Sequence, residues 1–271
     1  MVYQNPRPTS EEITKFYPEH YESYQIPQPR SWFLRNIYQY GLKKRAKFVL
    51  KHKKSGRLLD IGCGPGLFLH EMDKFGGWET FGVEVSPYAA DMARNQFGLS
   101  VFCGTLEQAN FPGSYFDAVT MWDVLEHLYD PSSTLREINR ILKPDGILVI
   151  RVPNLDSLDA KLFGKYWAGW DAPRHLFVLG KKSLKALLNK GGFDVVEFSS
   201  RSGSYPTFLL SLRFWLEGSG LGSSIFVHRV VQFLYHPVTR VLTAPLFFYS
   251  YTLAAWSPSC GCGSKRRGSK R

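Results

Sequence analysis

The sequence predicts an α/β fold in which a parallel sheet is covered by helices on both faces. Three observations carry this. Leu58–Leu69, LLDIGCGPGLFL, reads as a strand, a tight glycine turn and the start of an amphipathic helix. From Arg57 to Ser199, short apolar runs alternate with helical patterns, the order that builds parallel strands joined by crossover helices. The next apolar run, Trp78–Val85, places an acid, Glu84, at about the distance from the first glycine at which α/β folds hold a ribose-binding carboxylate.

Along the chain, three zones emerge: an N-terminal helical cap over residues 1–55, a core over 56–201 and an apolar, basic-ended extension over 202–271. In the cap, Thr9 and Glu12 have capping-box spacing, which starts a short helix ending near Tyr17. A proline-rich break at Pro27–Pro29 precedes a longer helix over Ser31–Lys53. The core strands are expected at Arg57–Ile61, Thr80–Val85, Ser100–Cys103, Phe116–Trp122, Gly146–Val152 and Phe193–Ser199. Ser86 with Pro87, and Asp130 with Pro131, fit the cap and first-turn positions of two helices. Leu135, Ile138 and Leu142 repeat at helical spacing and should face the sheet. A further helix, Ser183–Lys190, stops at Gly191 and Gly192.

In the turn after the first core strand, Gly62, Gly64 and Gly66 supply left-handed backbone and let a ligand approach the main chain. The helix that follows aims its free amides at the same place. The spacing is GxGxG rather than the GxGxxG of dinucleotide folds. Four motifs stand in order: LLDIGCGPG, GVEVSP, FDAVTMWDVLEHLYDP and GILVIRVPN. Over about Arg57–Ser200 the chain resembles class I S-adenosylmethionine-dependent methyltransferases. The segments YPEHY and DAPRHLF are similar to the branch that contains quinone-biosynthesis O-methyltransferases and enzymes modifying sugars or lipids.

The resemblance implies a Rossmann-like class I methyltransferase sheet and S-adenosylmethionine as cofactor. Asp60, Gly62, Cys63, Gly64 and Gly66 would hold the methionine end, Glu84 and Val85 the ribose side, and Thr105 and Leu106 the adenine, with Trp122 beside them. Many relatives carry an acid where Thr105 stands. The family sheet ends in an antiparallel seventh strand, for which the closing SKRRGSKR is unsuitable; that strand is either absent or replaced by an apolar stretch of the extension.

Methyl transfer from a sulfonium is an in-line displacement, so positioning and water exclusion dominate. Asp123, His127 and His175 are the candidate catalytic groups, with either histidine suited to act as general base. The quinone branch places two acids and a histidine around a divalent cation, and Asp123, Glu126 and His127 match that triplet. Glu126 and His127 are equally suited to orienting the loop. Asp171 and Arg174 form a second polar cluster, in which Arg174 either grips an anionic acceptor or pairs with Asp171. Tyr17 and Tyr21 either close over the cofactor and acceptor or pack the cap.

The formal net charge is +11, which favours anionic partners. Between Arg30 and Arg57 there is no acid, and Trp32, Phe33, Ile37 and Tyr40 give the helix an apolar face; it either lies on an anionic membrane or covers the sheet edge. From Tyr205 to Trp256 the only acid is Glu217. Pro206, Pro237 and Pro245 interrupt this stretch, and Val241–Trp256 is shorter than the ~20 apolar residues that span a bilayer, which favours interfacial or re-entrant helices. A helical subdomain packed on the core is the alternative.

Cys260 and Cys262 are expected to be reduced thiols, and no leader is expected from MVYQNPRPTSEE; the setting is cytoplasmic, with a peripheral membrane position as the further expectation. Nucleic acid is not an expected partner, because MWDVLEH stands where amino-methylating DNA enzymes carry their Pro-Pro-aromatic signature. The leading expectation is therefore methylation of an oxygen on a small or lipid-linked acceptor. A cofactor-binding protein without catalysis is the rival from another class.

Overall fold

The computed structural model describes residues 1–18, 21–26, 32–199, 205–220, 229, 233 and 251–258. The chain begins with a two-residue strand, β1 (Val2–Tyr3), and two 3-10 turns, Glu12–Phe16 and Glu22–Tyr24. The capping box forms: Glu12 N donates to Thr9 Oγ1 at 3.2 Å and Thr9 N to Glu12 Oε2 at 2.8 Å. It opens a 3-10 turn rather than an α-helix. The long helix α1 (Trp32–His52) leads into β2 (Gly56–Ile61), α2 (Leu67–Asp73), β3 (Trp78–Glu84), α3 (Pro87–Phe97), β4 (Ser100–Cys103) and the single turn α4 (Leu106–Ala109). Then follow β5 (Phe116–Trp122), α5 (Pro131–Ile141), β6 (Leu142–Pro153), α6 (Leu158–Phe163), β7 (Phe177–Val178), α7 (Lys181–Lys190), β8 (Phe193–Ser199), α8 (Tyr205–Gly218) and β9 (Tyr251–Pro258).

Seven strands form the main sheet in the order β4-β3-β2-β5-β6-β9-β8. The five from β4 to β6 pair in parallel, while β9 runs antiparallel between β6 and β8. The order reverses between β2 and β5, so the strand tips there open a crevice at their carboxyl ends. Period-two alternation distributes the core. Leu58, Ala118 and Val149 point to the face covered by α1, α2 and α3; Leu59, Val119 and Leu148 point to the face covered by α5 and α7. Each such leucine, wholly buried, contributes about 1.5–3 kcal/mol.

The cap signals hold. Ser86 Oγ accepts from Ala89 N at 3.3 Å and Asp130 Oδ1 from Ser133 N at 3.0 Å, each followed by proline in the first helical turn. The helix expected at Ser183 starts two residues earlier, at Lys181 after Gly180.

The structure decides between the alternatives for the extension. Residues 251–258 form the seventh strand, so an apolar stretch of the extension supplies it, and the end of Val241–Trp256 is not part of an interfacial or re-entrant helix. YTLAAWSP carries Tyr, Thr and Trp, which suit a pleated surface, and β6 and β8 both offer unpaired edges to receive it. The described helix of the extension, α8, packs on the core: Leu209 is buried, Phe208 meets Phe163 at 5.2 Å, and Ala168 N donates to Ser211 Oγ at 2.8 Å.

No helix among the described residues is long and apolar enough to cross a membrane. The C-terminal half of α1 covers the sheet, with Ala46 and Val49 wholly buried. Tyr40 is exposed, whereas the side chains of Trp32, Phe33 and Ile37, the break at Pro27–Pro29, Pro237, Pro245, Cys260, Cys262 and the basic terminus lie outside the described residues.

Candidate active site

The crevice at the strand tips holds a cavity of about 1430 Å³. Its floor is the end of β2 and the glycine turn. Gly62, Gly64 and Gly66 all have positive φ, 67°, 53° and 80°. At Gly66 a Cβ would stand 2.4 Å from Leu99 Cδ1, and at Gly62 2.6 Å from Val124 Cγ2, so neither position accepts a side chain without displacing its neighbour.

Glu84, at the tip of β3, is buried beside this turn. Gly64 N donates to its Oε2 at 2.8 Å and Ser86 N to its Oε1 at 2.9 Å. Each oxygen keeps a lone pair, so the carboxylate is held rigid and can still accept two hydroxyls. Asp60 is buried at the end of β2 and takes a 2.6 Å hydrogen bond from Thr120 Oγ1, its register partner on β5. Burial pushes its pKa up to about 7, against the opposing pull of Thr120 and Arg45.

Cys63 lies buried in the turn, its thiol pushed up by burial. Val85, Thr105 and Leu106 line the far arm of the cavity. Both polar groups of Thr105 are spent on a capping box: Gln108 N donates to its Oγ1 and its own N donates to Gln108 Oε1. Trp122 packs its ring 4.9 Å from that of Phe68, with the Arg45 guanidinium 5.2 Å above it.

Arg45 was not among the residues expected here. It projects from α1 into the cavity between Asp60, Trp122 and Asp123, and desolvation lowers its pKa. Its only sequence signal was a basic helix without acids, which does not single out one arginine among many.

The second constellation lies across the cavity. Asp123 follows β5 at φ 60°, and its Oδ2 is 2.7 Å from Arg151 Nη1 and 3.9 Å from Arg45 Nη2. Of the expected Asp123, Glu126 and His127, the last two are brought together with His175. The acceptor groups that converge are Glu126, His127 and His175, with one ligand atom of each within 4.8 Å of the others. Asp123 Oδ2 is turned to the two guanidiniums, while its Oδ1 is buried without a hydrogen-bond partner among the described residues.

Burial drives the His127 pKa down to about 4, with His175 adding to the effect, and burial likewise lowers His175. Both imidazoles are thus neutral at pH 7. Burial, with the Asp123 charge second, pushes Glu126 well above the usual carboxylate range.

The loop after β6 brings the remaining residues in. Arg174 forms a bidentate pair with Asp171, Nε to Oδ2 at 2.9 Å and Nη2 to Oδ1, and its guanidinium lies 4.8 Å over the Tyr21 ring. The internal pairing of Arg174 is therefore what the structure contains. Tyr17 OH lies 2.9 Å from His127 Nδ1, and Tyr17, Tyr21 and Tyr24 meet edge to face. These tyrosines roof the cavity, and the backbone of Ser23 crosses close to Gly64.

A family model described as a methyltransferase domain matches residues 33–198, from α1 to β8. The chain belongs to this methyltransferase family. Relatives include a methyltransferase of Schizosaccharomyces pombe, 33% identical over 41% of this chain and 45% of that protein. A ubiquinone biosynthesis O-methyltransferase of Cereibacter sphaeroides is 31% identical over 52% of this chain and 61% of its own length. One from Coxiella burnetii is 28% identical, covering 62% and 64%. The chain spans about half to two thirds of the length of the curated relatives it matches.

Among solved structures, the [4+2]-cyclase SpnF superposes with a TM-score of 0.61 at 19% identity, over 94% of this chain and 98% of its own. A SAM-dependent methyltransferase from Archaeoglobus fulgidus gives 0.55 at 23%, over 81% and 93%. These neighbours establish the Rossmann-like class I fold. One of them is named for a cyclisation, so the chemistry has to be argued from the site.

Proposed function

We propose that the methyltransferase binds S-adenosylmethionine on the glycine turn and transfers its methyl group to an oxygen of a small or lipid-linked acceptor. The observation that supports this most is one cavity lined by Glu84 at one side and by His127 and His175 at the other. Glu84, oriented by two backbone amides, is chemically suited to the two ribose hydroxyls. Asp60 suits the methionine ammonium and Arg45 its carboxylate. Val85 and Leu106 offer apolar contact to the adenine.

In the reaction the acceptor oxygen attacks the methyl carbon, the carbon–sulfur bond breaks with its electron pair going to sulfur, and a neutral thioether remains. The protein's part is alignment beneath a roof of Tyr17, Tyr21 and Tyr24 that keeps water out. Loss of the acceptor's hydroxyl proton is promoted beside the Glu126, His127 and His175 cluster, whose imidazoles are neutral. The volume supports an acceptor of some size, since ligand pockets usually measure about 300–1,000 Å³.

Incubating the protein with methyl-labelled cofactor and a cell extract tests the reading. Label in an alkali-stable ether or phenolic ether supports oxygen as the acceptor atom, and its partition between lipid and aqueous fractions identifies the class. Cofactor binding with no labelled product from any extract would favour the non-catalytic alternative.

A further inference from the structure

A buried carboxylate, Glu126, lies against two half-buried imidazoles, His127 and His175, that line the cavity. Glu126 is 2% exposed, and neither of its carboxylate oxygens has a hydrogen-bond partner among the described residues. His127 Nδ1 lies 2.9 Å from the Arg174 carbonyl oxygen, and His175 Nδ1 lies 2.8 Å from that of Gly169. A carbonyl oxygen only accepts, so His175 carries its proton on Nδ1 and a lone pair on Nε2, whereas His127 Nδ1 is shared between the Arg174 carbonyl and the Tyr17 hydroxyl, also at 2.9 Å. His175 Nε2 stands 3.9 Å from Glu126 Oε1, which is outside hydrogen-bond range. Carbonyl-anchored imidazoles of this kind are how proteins orient histidines toward a metal.

We propose that Glu126, His127 and His175 hold a divalent first-row transition-metal ion, and that Asp123 is not one of its ligands. Two imidazoles and one carboxylate favour Zn²⁺, Fe²⁺ or Co²⁺ over Mg²⁺, which prefers oxygen ligands. Asp123 Oδ2 is held by Arg151 at 2.7 Å, with Arg45 beyond it, and only its Oδ1 lacks a hydrogen-bond partner, whereas both Glu126 oxygens lack one among the described residues. One ligand atom of each lies within 4.8 Å of the others, so small side-chain shifts bring all three to the ~2.0–2.2 Å reach of one ion. When bound, such an ion lowers the pKa of a hydroxyl that reaches it. The proposal rests on the cluster's place in the acceptor half of the cavity and is independent of how the cofactor half is filled.

The test is titration of untagged, chelator-treated protein with Co²⁺, read by its visible d–d bands, with a parallel calorimetric titration of S-adenosylhomocysteine. One ion per chain is expected. Glu126→Gln and His175→Ala should each weaken binding at least about tenfold, Asp123→Asn should change it by less than about threefold, and equimolar Mg²⁺ should not displace the ion. Circular dichroism checks folding, and His175→Asn replaces the alanine variant if that one is unfolded. Absence of d–d bands, loss of the ion in Asp123→Asn with retention in His175→Ala, or displacement by Mg²⁺ would overturn the assignment. Homocysteine-product binding without the ion overturns this inference alone; ion binding without it supports the inference and instead overturns the proposed function.

Discussion

Asp60 links the pocket's electrostatics to a measurable pH dependence. Its folded pKa is about 7, above the usual 3.8, because burial penalises the charge. Between those values the empty folded protein holds a proton that the unfolded chain has released, so this residue's contribution to stability falls as pH rises through that window. A cationic ammonium beside Asp60 favours the ionised form. Affinity for S-adenosylhomocysteine should therefore rise with pH up to about 7 and then level off. Calorimetry in buffers of different ionisation enthalpy should show proton release below that point, and a pH-independent affinity would remove Asp60 from the methionine end. Asp60 and Glu84 were legible in the sequence because each ends a strand at a fixed offset from the glycine turn. Arg45 was not, since nothing local distinguishes it from the basic residues around it. His175 could be singled out as a candidate base, but its partnership with Glu126 and His127 depends on how the loop after β6 folds back.

At the level of elements, the roof and the last strand matter most. β1 pairs antiparallel with β7, directly after the loop that carries Arg174 and His175, and Tyr129 OH donates to the Pro8 carbonyl at 2.9 Å. These contacts are few and largely exposed. Deleting residues 1–8 should change the melting temperature by only a few degrees, yet raise KM and lower kcat/KM as the roof loosens. An unchanged kcat/KM would show that the roof is dispensable. β9 contains Ala255, wholly buried between β6 and β8. Ala255→Asp should destabilise the fold by more than about 3 kcal/mol in urea unfolding, because it buries an unpaired charge; a surface position would lose almost nothing. This strand was hard to read because 251–258 shares its apolar composition with the preceding stretch and shows no clean alternation, and its strand character depends on partners far away in sequence. The parallel strands from β2 to β6 were legible because each is a short apolar run between turn or cap residues.

Over the whole molecule, the +11 charge is the property that the proposed chemistry leaves unused. Lys43, Lys47 and Lys54 are exposed along and just after α1, and Lys51 beside them is tied to Glu197 at 2.6 Å. Flotation with vesicles should show binding to phosphatidylglycerol-containing membranes and not to neutral ones, weakening with salt because screening shortens the reach of the charges. Equal recovery with both lipids would argue against an electrostatic membrane position. The central claim concerns the pocket itself. Calorimetric titration of S-adenosylhomocysteine into the wild-type protein and Glu84→Ala tests it most directly. Saturable one-to-one binding is predicted for the wild type, with a loss of about 1–3 kcal/mol in the variant, or roughly five- to 150-fold, as two backbone amides and the ribose lose their acceptor. A folded wild-type protein with no affinity, or a folded variant that binds equally well, would contradict the account.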